Sequence, residues 1–415
     1  MESPSVTVGP VRKADRFGSL DVLRGLAILG ILVMNIQSFS MPMSAYTNPS
    51  AYGDLTGGNL WVWLLSYIFT MEKFMTLFSI LFGAGIVLMT SRAEARGGKP
   101  AKWHYRRMLW LMVIGFLHAH LLWYGDILFT YGVCALLVYF LRKKSPKTLL
   151  IVGIAVFSVA SLLAIMAGVT LPSWPEVQID EMTRSWNPEQ YILQDEVDNY
   201  RGGWWRQMDT RTLAALMLQT GALLMFVFWK SSGLMLIGMA LFKWGILTAQ
   251  ASKKVYLSLM AVGFGVGFPL VIWGALQHLE HGFAFEYSMF LGSQPNYWGS
   301  ALVCLGYISA TVLVYLSGRL KGVMDRLAAV GRMAFTNYLM QTVICTSLFY
   351  GHGLGLFGQV ERKEQILFVM AIWAFQLWLS PIWLRRFRFG PAEWLWRSLT
   401  YRRLQPMKIG AVPTS

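Results

Sequence analysis

Lys73-Phe-Met-Thr-Leu-Phe-Ser-Ile-Leu-Phe-Gly-Ala-Gly-Ile-Val-Leu-Met-Thr-Ser-Arg92 is a run of uncharged, mostly apolar residues closed at each end by a cation. As a helix rising about 1.5 Å per residue it places Lys73 nearly 29 Å from Arg92, close to the ~30 Å thickness of bilayer hydrocarbon. Comparable runs recur along the 415-residue chain, which is 55% hydrophobic and only 14% charged, with a mean hydropathy of +0.47. A soluble protein of this length needs far more surface charge. A β-barrel would show alternating segments of about ten residues instead of unbroken apolar runs. The sequence therefore predicts an all-α, polytopic transmembrane helix bundle.

Working outward, the first span is expected over Leu20–Phe39, after a basic tail with Arg12, Lys13 and Arg16 that lacks a cleavage site and reads as a signal anchor. Leu60–Met71 is read as an interfacial lead-in and Phe74–Thr90 as the second span, with Lys73 as an interface anchor. Met108–Trp123 rises to a turn at Tyr124-Gly-Asp126, a fourth span returns to Arg142, and Lys147–Gly168 is the fifth. Within 211–247, Leu213–Leu224 is read as an interfacial or re-entrant piece and Met225–Leu247 as one span, with Lys230 snorkelling near its outer end. Val255–Leu276, Tyr297–Leu316, Met333–Tyr350 and Gln365–Leu384 make ten.

The organisation is then a tail (1–19), an N-terminal bundle (20–170), an extracytoplasmic loop (171–210), a C-terminal bundle (211–386) and an amphipathic cytoplasmic tail (387–415) lying on lipid headgroups. The loop is either a lid or acceptor-recognition element or an ordinary connector. The net charge of +15 concentrates on alternate loops, as the positive-inside rule requires, so both termini are expected in the cytoplasm. Nothing resembles a nucleic-acid module. Cys134, Cys304 and Cys345 fall inside spans without metal-ligand spacing, and no metal is expected.

Polar residues at depth mark a candidate site. Asn35 and His118 each lie eleven residues beyond an arginine, Arg24 and Arg107, hence about 16 Å into the membrane. Gln341, nine beyond Arg332, falls in the same layer, with Asn337 a turn lower. His118 can exchange a proton near neutrality. Asp126 can meet it only if the helix unwinds at Gly125. His120 points to another face and reads as structural, and His104 and His352 as peripheral. Gly263-Phe-Gly-Val-Gly-Phe-Pro269 fits either a broken substrate-binding helix or close helix packing.

Leu20-Asp-Val-Leu-Arg-Gly-Leu-Ala-Ile-Leu-Gly-Ile-Leu-Val-Met-Asn35, Lys73–Gly85, His118 with Trp123-Tyr-Gly-Asp-Ile-Leu128, Gly331-Arg-Met-Ala-Phe-Thr-Asn-Tyr-Leu-Met-Gln341 and Phe389–Arg397 together resemble the YeiB family of bacterial inner-membrane proteins, a domain of unknown function. More distantly, the Arg24…Asn35 spacing is similar to that of the transmembrane acyltransferases that include lysosomal heparan-α-glucosaminide N-acetyltransferase. That second resemblance implies transfer of an acyl group from cytosolic acyl-CoA, such as acetyl-CoA, to a hydroxyl or amine of a small-molecule or glycan acceptor across the membrane. Bacterial membrane O-acyltransferases carry a histidine where Asn35 stands, so His118 is the base expected here. Arg24, Arg106, Arg107 and Arg332, with Asn337, would hold the CoA, and Asn35 and Gln341 would polarise the thioester. A permease using the same polar layer, and a structural or signalling membrane protein, are the other readings. Membrane lipids are expected partners, with a homodimer as the assembly to look for.

Overall fold

The computed structural model describes residues 17–410; Arg12, Lys13 and Arg16 lie outside the described residues. Its helices are α1 Gly18–Ser40, α2 Ser44–Thr47, α3 Gly57–Phe69, α4 Lys73–Ala95, α5 Pro100–Leu121, α6 Leu128–Val138, α7 Pro146–Thr170, α8 Glu176–Trp186, α9 Gln190–Arg201 and α10 Met208–Met217. They continue as α11 Phe228–Lys243, α12 Lys253–Gly265, α13 Gly267–Glu280, α14 Phe285–Ser288, α15 Gln294–Ser317, α16 Lys321–Arg332, α17 Ala334–Phe349, α18 Arg362–Arg386 and α19 Pro391–Tyr401. Among the described residues there is no strand, only an isolated bridge between Phe387 and Lys408. Seven helical stretches among the described residues are long and apolar enough to cross a membrane, which makes this a multi-pass helical membrane protein. The other three of the ten expected spans correspond to α5, with its basic first turns, and to the shorter α6 and α17 of 11 and 16 residues.

Lipid tails exert no hydrophobic pull between helices, so close packing has to hold the bundle together. α1 is its axis, buried along nearly its whole length. The outward faces of α7, α12–α13 and α18 instead expose Ile151, Leu162, Met166, Val262, Trp273, Leu367 and Trp378, the apolar belt that a bilayer would cover. The glycine-rich stretch 263–269 bends at Val266. A Cβ on Gly263 or Gly267 would strike the backbone of α15 at Leu302, Gly306 or Val303. Its small residues therefore serve close helix contact at a point where the helix is also interrupted, so the stretch has features of both readings.

Two ends can be told apart. Ser19 Oγ donates to Leu247 O at 2.9 Å, Lys243 Nζ to Lys144 O at 2.6 Å, and Arg142 pairs with Glu94 at 3.1 Å, so the basic loops gather at one end. From the opposite end, residues 208–243 return as one helical run with a π-type middle at Leu218–Val227. Leu213–Leu224 is thus helically continuous with the span that follows it, not a re-entrant piece. The segment 171–210, read as a lid or a connector, is mostly helical and folds back over that opposite end. Trp204 Nε1 donates to Leu121 O at 2.9 Å, Arg211 Nε to His120 O at 2.8 Å, and Gly351 N to Tyr200 O at 2.8 Å.

Lys73 and Lys230 depart from their expected snorkelling. Lys73 is fully buried and donates to Tyr67 O at 2.7 Å and Asn296 Oδ1 at 2.6 Å. Lys230 pairs with Glu72 at 2.8 Å. The cause is the break between α3 and α4, where Glu72 has φ 67°: it presents a carboxylate and the last carbonyls of α3 as local acceptors, so the ammonium groups need not reach water. Lys230→Met is expected to destabilise the protein by about 3 kcal/mol, the low end for breaking a buried pair, because Glu72 keeps 30% of its side chain accessible. Adding Glu72→Gln should restore most of that loss in thermal unfolding in detergent. A single variant as stable as the parent would refute the pairing.

Candidate active site

The helix that carries His118 stops just beyond it. Leu122 N and Trp123 N both bond to His118 O at 3.0 Å, closing α5, and the chain reverses before entering α6. The reversal brings Asp126 back beside α5, with His118 Nδ1 and Asp126 Oδ2 2.8 Å apart and both side chains out of solvent. The sequence made this contact conditional on unwinding at Gly125; α5 ends four residues sooner and the contact forms. Gly115 permits the approach, since a Cβ there would meet Phe129 N and, at 2.6 Å, Asp126 Oδ1. The same Oδ1 accepts from Phe129 N at 2.9 Å, fixing the carboxylate on the first turn of α6. With Asp126 as acceptor, the imidazole proton lies on Nδ1 and Nε2 carries the lone pair. Thr342 Oγ1 sits 3.0 Å from that nitrogen, and the ring of Tyr338, one turn earlier on α17, packs 5.3 Å from the imidazole. An imidazole oriented in this way has the geometry that proton transfer at Nε2 requires.

At the basic end lies a cavity of about 310 Å³ between α1, α4, α5, α17 and α19. Arg24, Arg92, Arg96, Arg107, Arg332 and Arg397 face it, over apolar walls that include Ile28, Ile31 and Phe82. Two arginine–glycine pairs explain the register. Gly25 and Gly331 oppose each other where α1 crosses α16, each lying against the other helix's backbone. That crossing holds their neighbours Arg24 and Arg332 on the same wall. Arg107 lies 4.0 Å over the ring of Trp396.

The C-terminal helix, expected to rest on headgroups, forms part of this cavity. Trp396 Nε1 donates to Arg107 O at 2.9 Å. Glu393 accepts from Phe335 N at 2.7 Å, Thr336 N at 3.2 Å and the Thr336 hydroxyl, capping α17. Burial raises the pKa of the Glu393 carboxyl in spite of those bonds. Arg106 does not line the cavity; its guanidinium donates to Thr400 O at 3.0 Å and so ties α5 to α19. His104, expected at the periphery, is fully buried in the cavity wall, with Nε2 2.9 Å from Ala135 O and its ring stacked on Tyr139.

The two features meet at Tyr338. The cavity ends against Ile127, Leu128 and Tyr338, whose other neighbour is His118. Asn35 continues the α1 stripe of Arg24, Ile28 and Ile31 by one more turn; it is partly accessible and makes no hydrogen bond among the described residues. Gln341 and Asn337 are not brought to the site. Gln341 Nε2 donates to Ile28 O at 3.2 Å and Gln376 Oε1 at 3.0 Å, and Asn337 Nδ2 donates to Val330 O at 3.0 Å and Ser380 Oγ at 3.2 Å. Their amides are spent holding α17 to α1, α16 and α18, and Gln341's neighbour Thr342 reaches His118 instead. Depth arithmetic put Gln341 at the right level but could not give its azimuth. Sequence reading also missed Arg92, Arg96, Arg397 and Tyr338, although each lies within or beside a quoted motif or basic loop. His120, bonded to Gln219 Oε1 at 3.2 Å, has the structural role expected, and the three cysteines are free and buried.

Residues 241–403 match the family model described as "Protein of unknown function (DUF418)". The chain is 36% identical to the uncharacterized protein YeiB of Escherichia coli (strain K12), over 94% of this chain and 98% of the relative. It is 32% identical to the uncharacterized protein YxaH of Bacillus subtilis (strain 168), over 96% and 97%. A third relative, an uncharacterized 39.9 kDa protein of Bacillus acidopullulyticus, is 25% identical over 96% and 98%. Identity at this level across nearly the full length of both chains places the protein in the YeiB family of multi-pass membrane proteins.

Proposed function

We propose that this protein is a transmembrane acyltransferase that takes an acyl group from a CoA thioester at its basic, cytoplasmic end and hands it to a hydroxyl or amine acceptor reaching His118 from the other side. The supporting observation is the placement of a six-arginine cavity whose inner wall, Tyr338, is also a wall of the His118–Asp126 pair. Guanidinium groups bind phosphates bidentately, and the apolar upper walls suit the pantetheine arm. A volume of about 310 Å³ lies within the usual ligand-pocket range of about 300–1,000 Å³. Displacement of Tyr338 or a shift of α17 would open the last step to Nε2. There His118 takes the acceptor's proton, the acceptor oxygen or nitrogen attacks the thioester carbonyl, and the C–S bond breaks. The thiolate leaves with the proton returned by the imidazolium. In this reading Asn35, at the end of the α1 stripe, donates a hydrogen bond to the carbonyl oxygen as charge develops. In the same reading the basic loops lie inside, with both termini in the cytoplasm of a bacterial cell and the 171–210 cap outside it.

Titration of purified protein with acetyl-CoA, followed by quenching of the tryptophans that line the cavity, tests the donor half. Micromolar binding is expected, weakened about tenfold in Arg24→Ala and in Arg332→Ala and by raised salt, but not in Lys143→Ala, a basic-end lysine outside the cavity. Absence of CoA binding would remove the donor and with it this reading.

A further inference from the structure

The cap formed by α8, α9 and the start of α10 lies over a group of aromatic side chains that the donor reading leaves unused. Trp123 follows His118 on the reversing turn; its ring stands 6.3 Å from the imidazole and stacks on Phe39 at 4.1 Å. Tyr124 is next to it, with ring centroids 6.0 Å apart. Tyr200 of α9 and Tyr350, at the end of α17, pack at 4.8 Å, and Tyr124 and Glu196 are within electrostatic reach of both. Trp123 Nε1, Tyr200 Oη and Tyr350 Oη are buried without a protein hydrogen-bond partner. Tyr124 Oη reaches only Ser38 O, at 3.5 Å. Folded proteins satisfy the great majority of buried polar groups, and three unsatisfied ones in one neighbourhood, one turn beyond the proposed base, call for a partner from outside the chain.

The geometry points to a binding site here for a neutral acceptor carrying adjacent hydroxyl groups, a polyol or sugar unit, held under the 171–210 cap. It rests on the acyl-transfer reading for calling that occupant the acceptor. The class follows from the donor and acceptor inventory. An indole N–H only donates, so the ligand must offer an acceptor; each tyrosine hydroxyl both donates and accepts. Hydroxyl oxygens meet all three, and the aromatic faces suit the C–H faces of a ring or chain. An ammonium group offers donors alone, leaves Trp123 Nε1 unpaired, and meets Arg211 among the groups around Tyr350. Glu196, of opposite sign to Arg211, also lies around Tyr350, so a ligand of either charge meets a like charge there and a neutral one meets neither.

The test uses the full chain in phosphatidylcholine nanodiscs, with D-glucose as the probe read by saturation-transfer NMR. Saturable glucose binding is expected, weakened at least fivefold in Tyr350→Phe and in Tyr200→Phe, while both variants unfold at the parent temperature or above it. Removing a hydroxyl that has no internal partner should cost the fold nothing. Glucose binding at parental strength in both variants, loss of thermal stability in both, absence of saturable binding, or displacement of glucose by tetramethylammonium would each overturn the assignment. A glucosyl-diacylglycerol in the disc that displaces glucose identifies a lipid headgroup as the source of the polyol, and failure to displace identifies a free one; both support the site. CoA titration of the same samples fails or succeeds independently, so loss of the donor reading and loss of this site are separate results.

Discussion

His118→Gln is expected to abolish transfer of labelled acyl groups from acetyl-CoA by about 10²–10⁴-fold, the usual contribution of a positioned general base, while the protein stays folded and binds CoA as before. Glutamine is the informative replacement because its amide can still donate to Asp126, which a truncation to alanine would leave as an unpaired buried carboxylate. His118→Ala should be equally inactive but less stable. Asp126→Asn should lose activity through a different route: its amide no longer enforces the tautomer that leaves Nε2 free, so the proton sits on the wrong nitrogen for part of the population. Thr342→Ala removes only the hydroxyl now resting on Nε2 and should leave most of the rate. Undiminished turnover in His118→Gln would take the imidazole out of the chemistry and leave the pair as a clasp between α5 and α6.

Gly331→Val is expected to be the most damaging single substitution at the basic end. A Cβ there would fall on Asp21 O and 2.7 Å from Gly25 N, both backbone atoms of a buried helix that cannot move aside. α1 and α16 would have to separate, at a cost of about 3 kcal/mol or more, the upper range for overpacking. The separation would also slide Arg24 past Arg332, so thermal stability in detergent and CoA affinity should fall together. Gly85→Ala is the matched control, because it lines the same cavity yet a Cβ there meets nothing within 4 Å. Parental stability in Gly331→Val would mean that the Gly25–Gly331 crossing does not set the spacing of the two helices.

These expectations draw unequally on sequence and structure. The all-α membrane class was legible because burial in lipid demands long, uninterrupted apolar helices, and the chain has them. The basic cavity was half legible: Arg24, Arg107 and Arg332 were picked from their positions at span ends, whereas Arg92, Arg96 and Arg397 enter it only because α4 and α19 converge there. Arg106, adjacent in sequence to Arg107, bonds to Thr400 O outside the cavity, since neighbours on a helix diverge by about 100°. Lys73 and Lys230 looked like snorkelling side chains because the hydropathy pattern shows no acceptor for them; the left-handed turn at Glu72 supplies one.

By itself, then, the sequence determined what lipid and charge impose one residue at a time: helical class, the basic end, and the presence of His118 at depth. Only the tertiary structure decided which polar groups meet. It ended α5 at Leu121, so that Asp126, eight residues away, pairs with His118. It turned Gln341 and Asn337 into helix staples and aimed Thr342 at the imidazole. It also seated α19 against the cavity and gathered Trp123, Tyr200 and Tyr350 under the cap. Helix rise gives depth from sequence; azimuth and the point where a helix stops depend on packing against other helices, and on those two quantities the site depends.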